Sequence, residues 1–183
     1  MNSNCCTAIL VLLASLFTSV AAEGKRETFT LDGAKVSLSP PPKWTFDQQV
    51  SGRYSGVSYK RPGEGKLLGS LSISRGNGEK GEPGTVEEAV EVSEKYSKRL
   101  EGRGEKILSK SPFSTKSGTK GIKLVTSNPA GHKPGGEILV HCLYFFPDAN
   151  GKAVMFEALS SEKEWPNIKD TIEASAKSAE FPK

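Results

Sequence analysis

"EILVHCLYFF", residues 137–146, decides how the rest of the chain is read. Ile138, Val140, Cys142, Tyr144 and Phe146 alternate with Leu139, His141, Leu143 and Phe145, so an extended backbone sends two largely apolar sets to opposite sides. A strand that is apolar on both sides belongs inside a sheet with cover above and below. The alternation also separates His141 from Cys142. As neighbours in an extended segment they point apart and cannot form a hydrogen-bonded nucleophile and base, which must lie about 3 Å from each other.

Working outward, "PDANGK" places a turn at Asn150-Gly151, and "AVMFEALS" returns as the antiparallel partner. Upstream, "KILSKSPFSTKSGTKGIKLVTS" reads as two or three strands with turns near Lys116 to Gly118, followed by the Gly- and Pro-rich loop "NPAGHKPGGE". Nearer the N-terminus, "ETFTLDGAKVSLS" is a hairpin about Asp32-Gly33, and "PPPKW" forces an extended boundary. "YSGVSYK" and "LLGSLSISR" are further strands. In the second, Leu67, Leu71 and Ile73 share one side, and Ser70, Ser72 and Ser74 the other.

The period changes at "TVEEAVEVSEKYSKRLEG". Val86, Ala89, Val90, Ser93, Tyr96 and Leu100 recur every three or four residues, Thr85 with Glu88 matches a capping box, and Gly102 supplies a stop. A last helix starts near Trp165 or Pro166, where proline is tolerated in the first turn, and stacks Ile168, Ile172, Ser175 and Ala179. Strands, a helix, a long antiparallel run and a second helix predict an α/β/α sandwich: a mainly antiparallel central sheet covered by helices on both faces.

The chain has 183 residues, 36% hydrophobic and 25% charged, which suits one globular domain. Its first 22 residues read as a secretory signal peptide, because the apolar run "TAILVLLASLF" is followed by the small residues "TSVAA". The n-region "MNSNCC" carries no Lys or Arg. The run falls short of the roughly 20 apolar residues of a membrane span. Cleavage after Ala22 removes Cys5 and Cys6, leaves Cys142 as a single thiol with no intramolecular disulfide partner, and defines residues 23–183 as the mature domain. No transmembrane span remains after cleavage, and the expected location is periplasmic or extracellular. The net charge of +4 is too mild to imply nucleic acid. It is unevenly placed, however: Arg103, Lys106, Lys110, Lys116, Lys120 and Lys123 face one acid, Glu105, in the same stretch.

The pattern resembles the PsbP-like family, a sandwich shared by an extrinsic photosystem II subunit, a fungal Ran-binding protein and bacterial exported proteins. The resemblance rests on the "PPKW" entry, the helix "TVEEAVEVSEKYSKRLEG", the strand "TKGIKLV", the hairpin "HCLYFFPDANGKAVMFEA" and the closing "EKEWPNIKDTIEASAKSAEF", and spans most of residues 27–181. In such proteins the last segment is typically a helix that begins near a tryptophan, here Trp165, and ends in a small residue and a phenylalanine, here Ala179 to Phe181. These are architectural marks, and no family catalytic residue carries over. The resemblance implies a non-enzymatic binding or assembly-stabilising domain.

Catalytic motifs fail on inspection. With His132 and His141 as the only imidazoles and Cys142 as the only mature thiol, a zinc site lacks ligands. "GNGEKG", Gly76 to Gly81, fits G-x-G-x-x-G, yet Pro83 intervenes before the helix, and Glu79 and Glu82 would repel a pyrophosphate. "KSGT" at Lys116 to Thr119 and "SSEK" with Ser160 and Lys163 match elements of penicillin-recognising serine enzymes in the wrong order and without S-D-N. "GVSYK" has lysine where a nucleophile elbow needs glycine. No catalytic, cofactor or metal residue is therefore assigned. The expected function is that of an exported, non-enzymatic domain acting on a protein or cell-envelope partner, with Lys110, Lys116, Lys120 and Lys123 as the candidate partner surface. The alternative is a small exported hydrolase with an unrecognised Ser or Cys nucleophile.

Overall fold

The computed structural model describes residues 25–50, 54–63, 69–76, 83–130 and 135–183. The leader with Cys5 and Cys6, Leu67, His132 and the interior of the Gly76–Gly81 segment lie outside the described residues.

The chain opens with a hairpin of β1 (Glu27–Leu31) and β2 (Ala34–Leu38). Its turn needs two residues at positive φ, and Asp32 (46°) with Gly33 (77°) supply them. The strands β3 (Thr45–Val50), β4 (Tyr54–Lys60) and β5 (Ser70–Gly76) form a meander, and α1 (Val86–Arg99) follows. Then come β6 (Lys106–Ser114), β7 (Lys120–Pro129), β8 (Ile138–Pro147), β9 (Ala153–Ser161) and α2 (Trp165–Lys177). Among the described residues seven strands make one antiparallel sheet in the order β3-β4-β5-β9-β8-β7-β6. After β5 the chain carries α1 across to the far edge, enters β6, and returns strand by strand until β9 pairs with β5.

β8 lies between β7 and β9, as its two-sided pattern requires. Val140, Cys142, Tyr144 and Phe146 join the larger core with Ile168, Ile172 and Ala176 of α2 and with Leu31, Val36 and Leu38 of the hairpin. Phe145 and Leu143 instead pack with Val86, Ala89 and Val90 of α1. Leu71 and Ile73 of β5 are buried in the larger core, while Ser70, Ser72 and Ser74 are only partly covered, as their alternation predicts.

The capping box of α1 is present: the Thr85 hydroxyl accepts from the Glu88 amide, and the Glu88 carboxylate accepts from the Thr85 amide. Two expectations for this helix need correction. Tyr96 is half exposed, and Ser97 takes the buried position, its hydroxyl donating to the buried Glu105 carboxylate at 3.2 Å. The helix also ends before Gly102: Leu100 is its C-cap, a 3-10 turn spans Glu101–Arg103, and Gly104, at φ 93°, is the left-handed stop. No described helix is long and apolar enough to cross a membrane.

Buried ionic bonds lock the N-terminal hairpin to the sheet. Arg75, at the end of β5 and almost fully buried, donates from Nε to Asp148 (2.9 Å) and from one terminal nitrogen to the Asp32 carboxylate (2.8 Å) and carbonyl (2.7 Å). One guanidinium thus holds the β1–β2 turn and the β8–β9 turn together. Asp148 further accepts from the amides of Asn150 and Lys152, shaping its own turn.

Candidate functional site

β8 turns the side chains of His141 and Cys142 to opposite faces. Cys142 is fully buried beside Tyr144, and burial pushes its thiol up, so it stays protonated and unreactive. The Tyr144 phenol is raised as well, by burial first and then by the neighbouring Cys142. The ring packs against Phe113 and lies under Lys123 Nζ at 5.4 Å.

His141 reaches the other face, where register brings together residues far apart in sequence. Its Nδ1 lies 3.1 Å from Glu157 Oε1 on β9, and its Nε2 lies 3.3 Å from Asn128 Nδ2 on β7. With the Asn128 amide donating to Nε2, Nδ1 carries the hydrogen and donates to Glu157. Beyond Glu157 the row continues: Ser72 stands opposite it on β5, Ser58 opposite Ser72 on β4, and the Ser58 hydroxyl donates to Asp47 on β3 at 3.4 Å. Lys60 closes the row on Asp47 at 2.8 Å. A polar belt therefore crosses the sheet from β7 to β3. The imidazole near its β7 end has both nitrogens engaged, leaving no free lone pair to take a proton from a substrate.

α1 runs over the same face and leaves part of it open. Between Ala89, Val92 and Ser93 of the helix and Ser74, Ala153 and Met155 of the sheet lies a hollow of about 200 Å³. Met155 and Glu157 are two residues apart on β9, so the apolar floor of the hollow and the polar belt are successive rows of one surface.

The four candidate lysines of the β6–β7 hairpin, Lys110, Lys116, Lys120 and Lys123, divide between environments. Lys110 pairs with Glu94 of α1 at 3.1 Å, and Lys123 pairs with Glu173 of α2 at 2.9 Å. Lys177 also bonds Glu173, and these two lysines, Lys177 first, hold that carboxyl below the usual carboxylate range. Lys120 is exposed at the start of β7. Lys116 is exposed in the turn, where its amide donates to the Lys177 carbonyl at 2.7 Å. The "KSGT" stretch is thus a tight turn tied to the end of α2, with the Ser117 hydroxyl reaching the Ala179 carbonyl. In the "SSEK" stretch Ser160 is fully buried and donates to the Ser161 carbonyl, Ser161 accepts from the Glu164 amide, and Lys163 is exposed.

No protein-family model and no curated protein sequence matches the chain. Among solved structures it is similar to cyanobacterial PsbP (CyanoP) from Synechocystis, with a TM-score of 0.53 at 15% identity, covering 90% of this chain and 96% of that one. The chain has the PsbP-like fold. The Ran-binding protein Mog1p of Saccharomyces cerevisiae aligns at TM-score 0.49 and 12% identity, covering 86% of this chain and 95% of that one. A Pseudomonas aeruginosa protein of unknown function aligns at 0.47 and 14%, covering 87% and 99%. At these identities the PsbP-like likeness is one of architecture. The His141 belt and the outer flank of α1 stand on this chain's own residues. Sequence reasoning missed the belt, since only the register of β7, β8, β9 and β5 juxtaposes Asn128, His141, Glu157 and Ser72.

Proposed function

We propose that this chain is an exported, non-enzymatic domain that binds or stabilises a protein or cell-envelope partner, working in the periplasm or outside the cell after loss of residues 1–22. In this reading residues 23–183 form one α/β/α sandwich. Support for the two-sided cover comes from β8, whose alternate residues enter two separate cores, one with α1 and one with α2. The observation that carries the function is the condition of the most reactive groups named by the sequence. Cys142 and Ser160 are sealed in the interior, and His141 is held at both ring nitrogens. What the surface offers instead is fixed polar groups on an open sheet face and cations on the β6–β7 hairpin. Lys110, Lys116, Lys120 and Lys123 remain the proposed contact there, with Lys116 and Lys120 at its exposed end.

A panel of serine- and thiol-directed probes on the native protein tests this against the hydrolase alternative. The expected outcome is no stoichiometric labelling until the protein is unfolded. Labelling of one residue in the native state, lost on unfolding, would overturn the reading. Reversing the charge of Lys116 and Lys120 and measuring cross-linked envelope proteins at low and high salt tests the hairpin. Unchanged recovery removes it as the contact.

A further inference from the structure

The outer flank of α1 breaks the economy of the rest of the molecule. The helix buries a serine, Ser97, and leaves Tyr96 and Val92 about half exposed (50% and 53%), although both rings and branched chains would gain by packing. Val92, Lys95, Tyr96 and Arg99 are spaced three and four residues apart, so they lie on one flank, and together they line a shallow notch of about 310 Å³. Arg99 stacks over the Tyr96 ring with its guanidinium carbon 5.3 Å from the centroid.

Both charged side chains that line the notch, Lys95 and Arg99, are basic. Most basic side chains that the sheet and α2 carry near carboxylates are ion-paired: Lys60, Arg61, Arg75, Lys110, Lys123 and Lys177. Among the described residues Arg99 has no such partner, as is also true of Lys98, Lys106 and Lys120, and Lys95 has only its exposed helical neighbour Glu91. A last-turn cation complements the helix dipole. That accounts for Arg99, but not for the exposure of Tyr96 and Val92.

Resting on the binding-domain reading above, we infer that this notch docks an acidic peptide segment of a protein partner, with an apolar or aromatic side chain seated between Val92 and Tyr96 and a carboxylate on Arg99. Guanidinium groups suit carboxylates because their planar donors can bond both oxygens. A tyrosine-and-arginine centre ringed by polar groups is also the composition of energetic centres in protein interfaces. An anionic membrane fits less well. The same helix exposes Glu87, Glu88 and Glu91 one to two turns away, and a flat anionic plane would meet them as well as Arg99, whereas a short segment need not.

The test is selection of a random twelve-residue displayed peptide library on the purified full-length chain, followed by anisotropy titration of the enriched peptides against Tyr96→Ser, Arg99→Glu and, as a control outside the notch lining, Lys98→Glu. The expected result is enrichment of acidic peptides with one apolar or aromatic anchor. Their affinity should fall at least tenfold with Tyr96→Ser and with Arg99→Glu, fall less than threefold with Lys98→Glu, and weaken from 0.05 to 0.5 M salt. Because Tyr96 and Arg99 are exposed, thermal melts of these variants should match wild type, which separates lost binding from lost folding. Enrichment of peptides indifferent to Tyr96 and Arg99, or no enrichment, overturns this inference and leaves the binding-domain reading to its own test. Co-sedimentation with anionic phospholipid vesicles that depends on Arg99, in place of peptide binding, also overturns it.

Discussion

Replacing Asp148 by Ala tests the clamp that joins two distant turns. The Arg75 and Asp148 side chains are 4% and 1% exposed, so deletion of the carboxylate leaves a guanidinium nitrogen in the interior without its acceptor. Breaking a buried pair costs about 3–5 kcal/mol. The lower end applies here, because Arg75 keeps both bonds to Asp32. The two amides that Asp148 also held belong to the exposed residues Asn150 and Lys152, where water can replace it. A loss of about 3 kcal/mol, or on the order of 10 °C in Tm for a chain of this size, is the expected outcome. Asp148→Asn keeps an oxygen for the turn amides and gives up the charge, and should cost about 2 kcal/mol. Urea titration with an unchanged m value measures both. The double variant Arg75→Met/Asp148→Asn should cost at least about 1 kcal/mol less than the sum of its parts, because each single change strands the other's charge. A loss below about 1 kcal/mol for Asp148→Ala, or strict additivity in the double variant, would refute the clamp.

Other expectations follow from the same structure. Gly121→Ala would place a Cβ 2.3 Å from the Phe145 carbonyl and 2.6 Å from the Phe146 ring, so denaturant melts should show a loss of about 2 kcal/mol or more, or no soluble protein. Cys142→Ser puts a hydroxyl into an apolar site and should lower stability by about 1–2 kcal/mol while leaving any partner affinity unchanged. Lost binding with a wild-type melt would contradict that. Burial raises Cys142, Tyr59 and Tyr144, so the native state holds protons that the unfolded state releases. Stability from this source is complete below the unfolded thiol value near 9 and declines as pH rises past it, which melts between pH 7 and 10.5 will show. The Glu173 carboxyl is depressed by Lys177 and Lys123. Its contribution is present above the ordinary carboxylate value of 4.5 and disappears as pH falls below it, and Glu173→Gln should flatten that acid limb of the stability curve.

Much of the architecture was legible because it rests on local pattern. The two-sided alternation of residues 138–146 placed β8 inside the sheet, Asp32-Gly33 fixed the first hairpin, and Thr85 with Glu88 fixed the start of α1. What escaped depends on partners distant in sequence. Hydropathy put Tyr96 inside and left Ser97 out, because nothing local shows that the Ser97 hydroxyl finds a carboxylate on Glu105, past the end of the helix. β3 was not read as a strand, since Asp47, Gln48 and Gln49 interrupt any apolar alternation and the register shifts between Phe46 and Gln48. The hairpin lysines read as one basic patch, yet β-strand alternation and two helices distribute Lys110 and Lys123 to different acids. The belt around His141 needed the pairing of four strands to exist at all.

The pairing of Ser70 with Leu159 joins the first half of the chain to its last described strand. Until β9 arrives, β5 has a bare edge, β8 lacks one neighbour, and α1 has only part of its floor. The contacts that close the sheet are non-local, so the loop-closure entropy has to be met before they form, which slows folding. On the export proposed above, slow closure would leave the chain threadable until its C-terminal strand has followed.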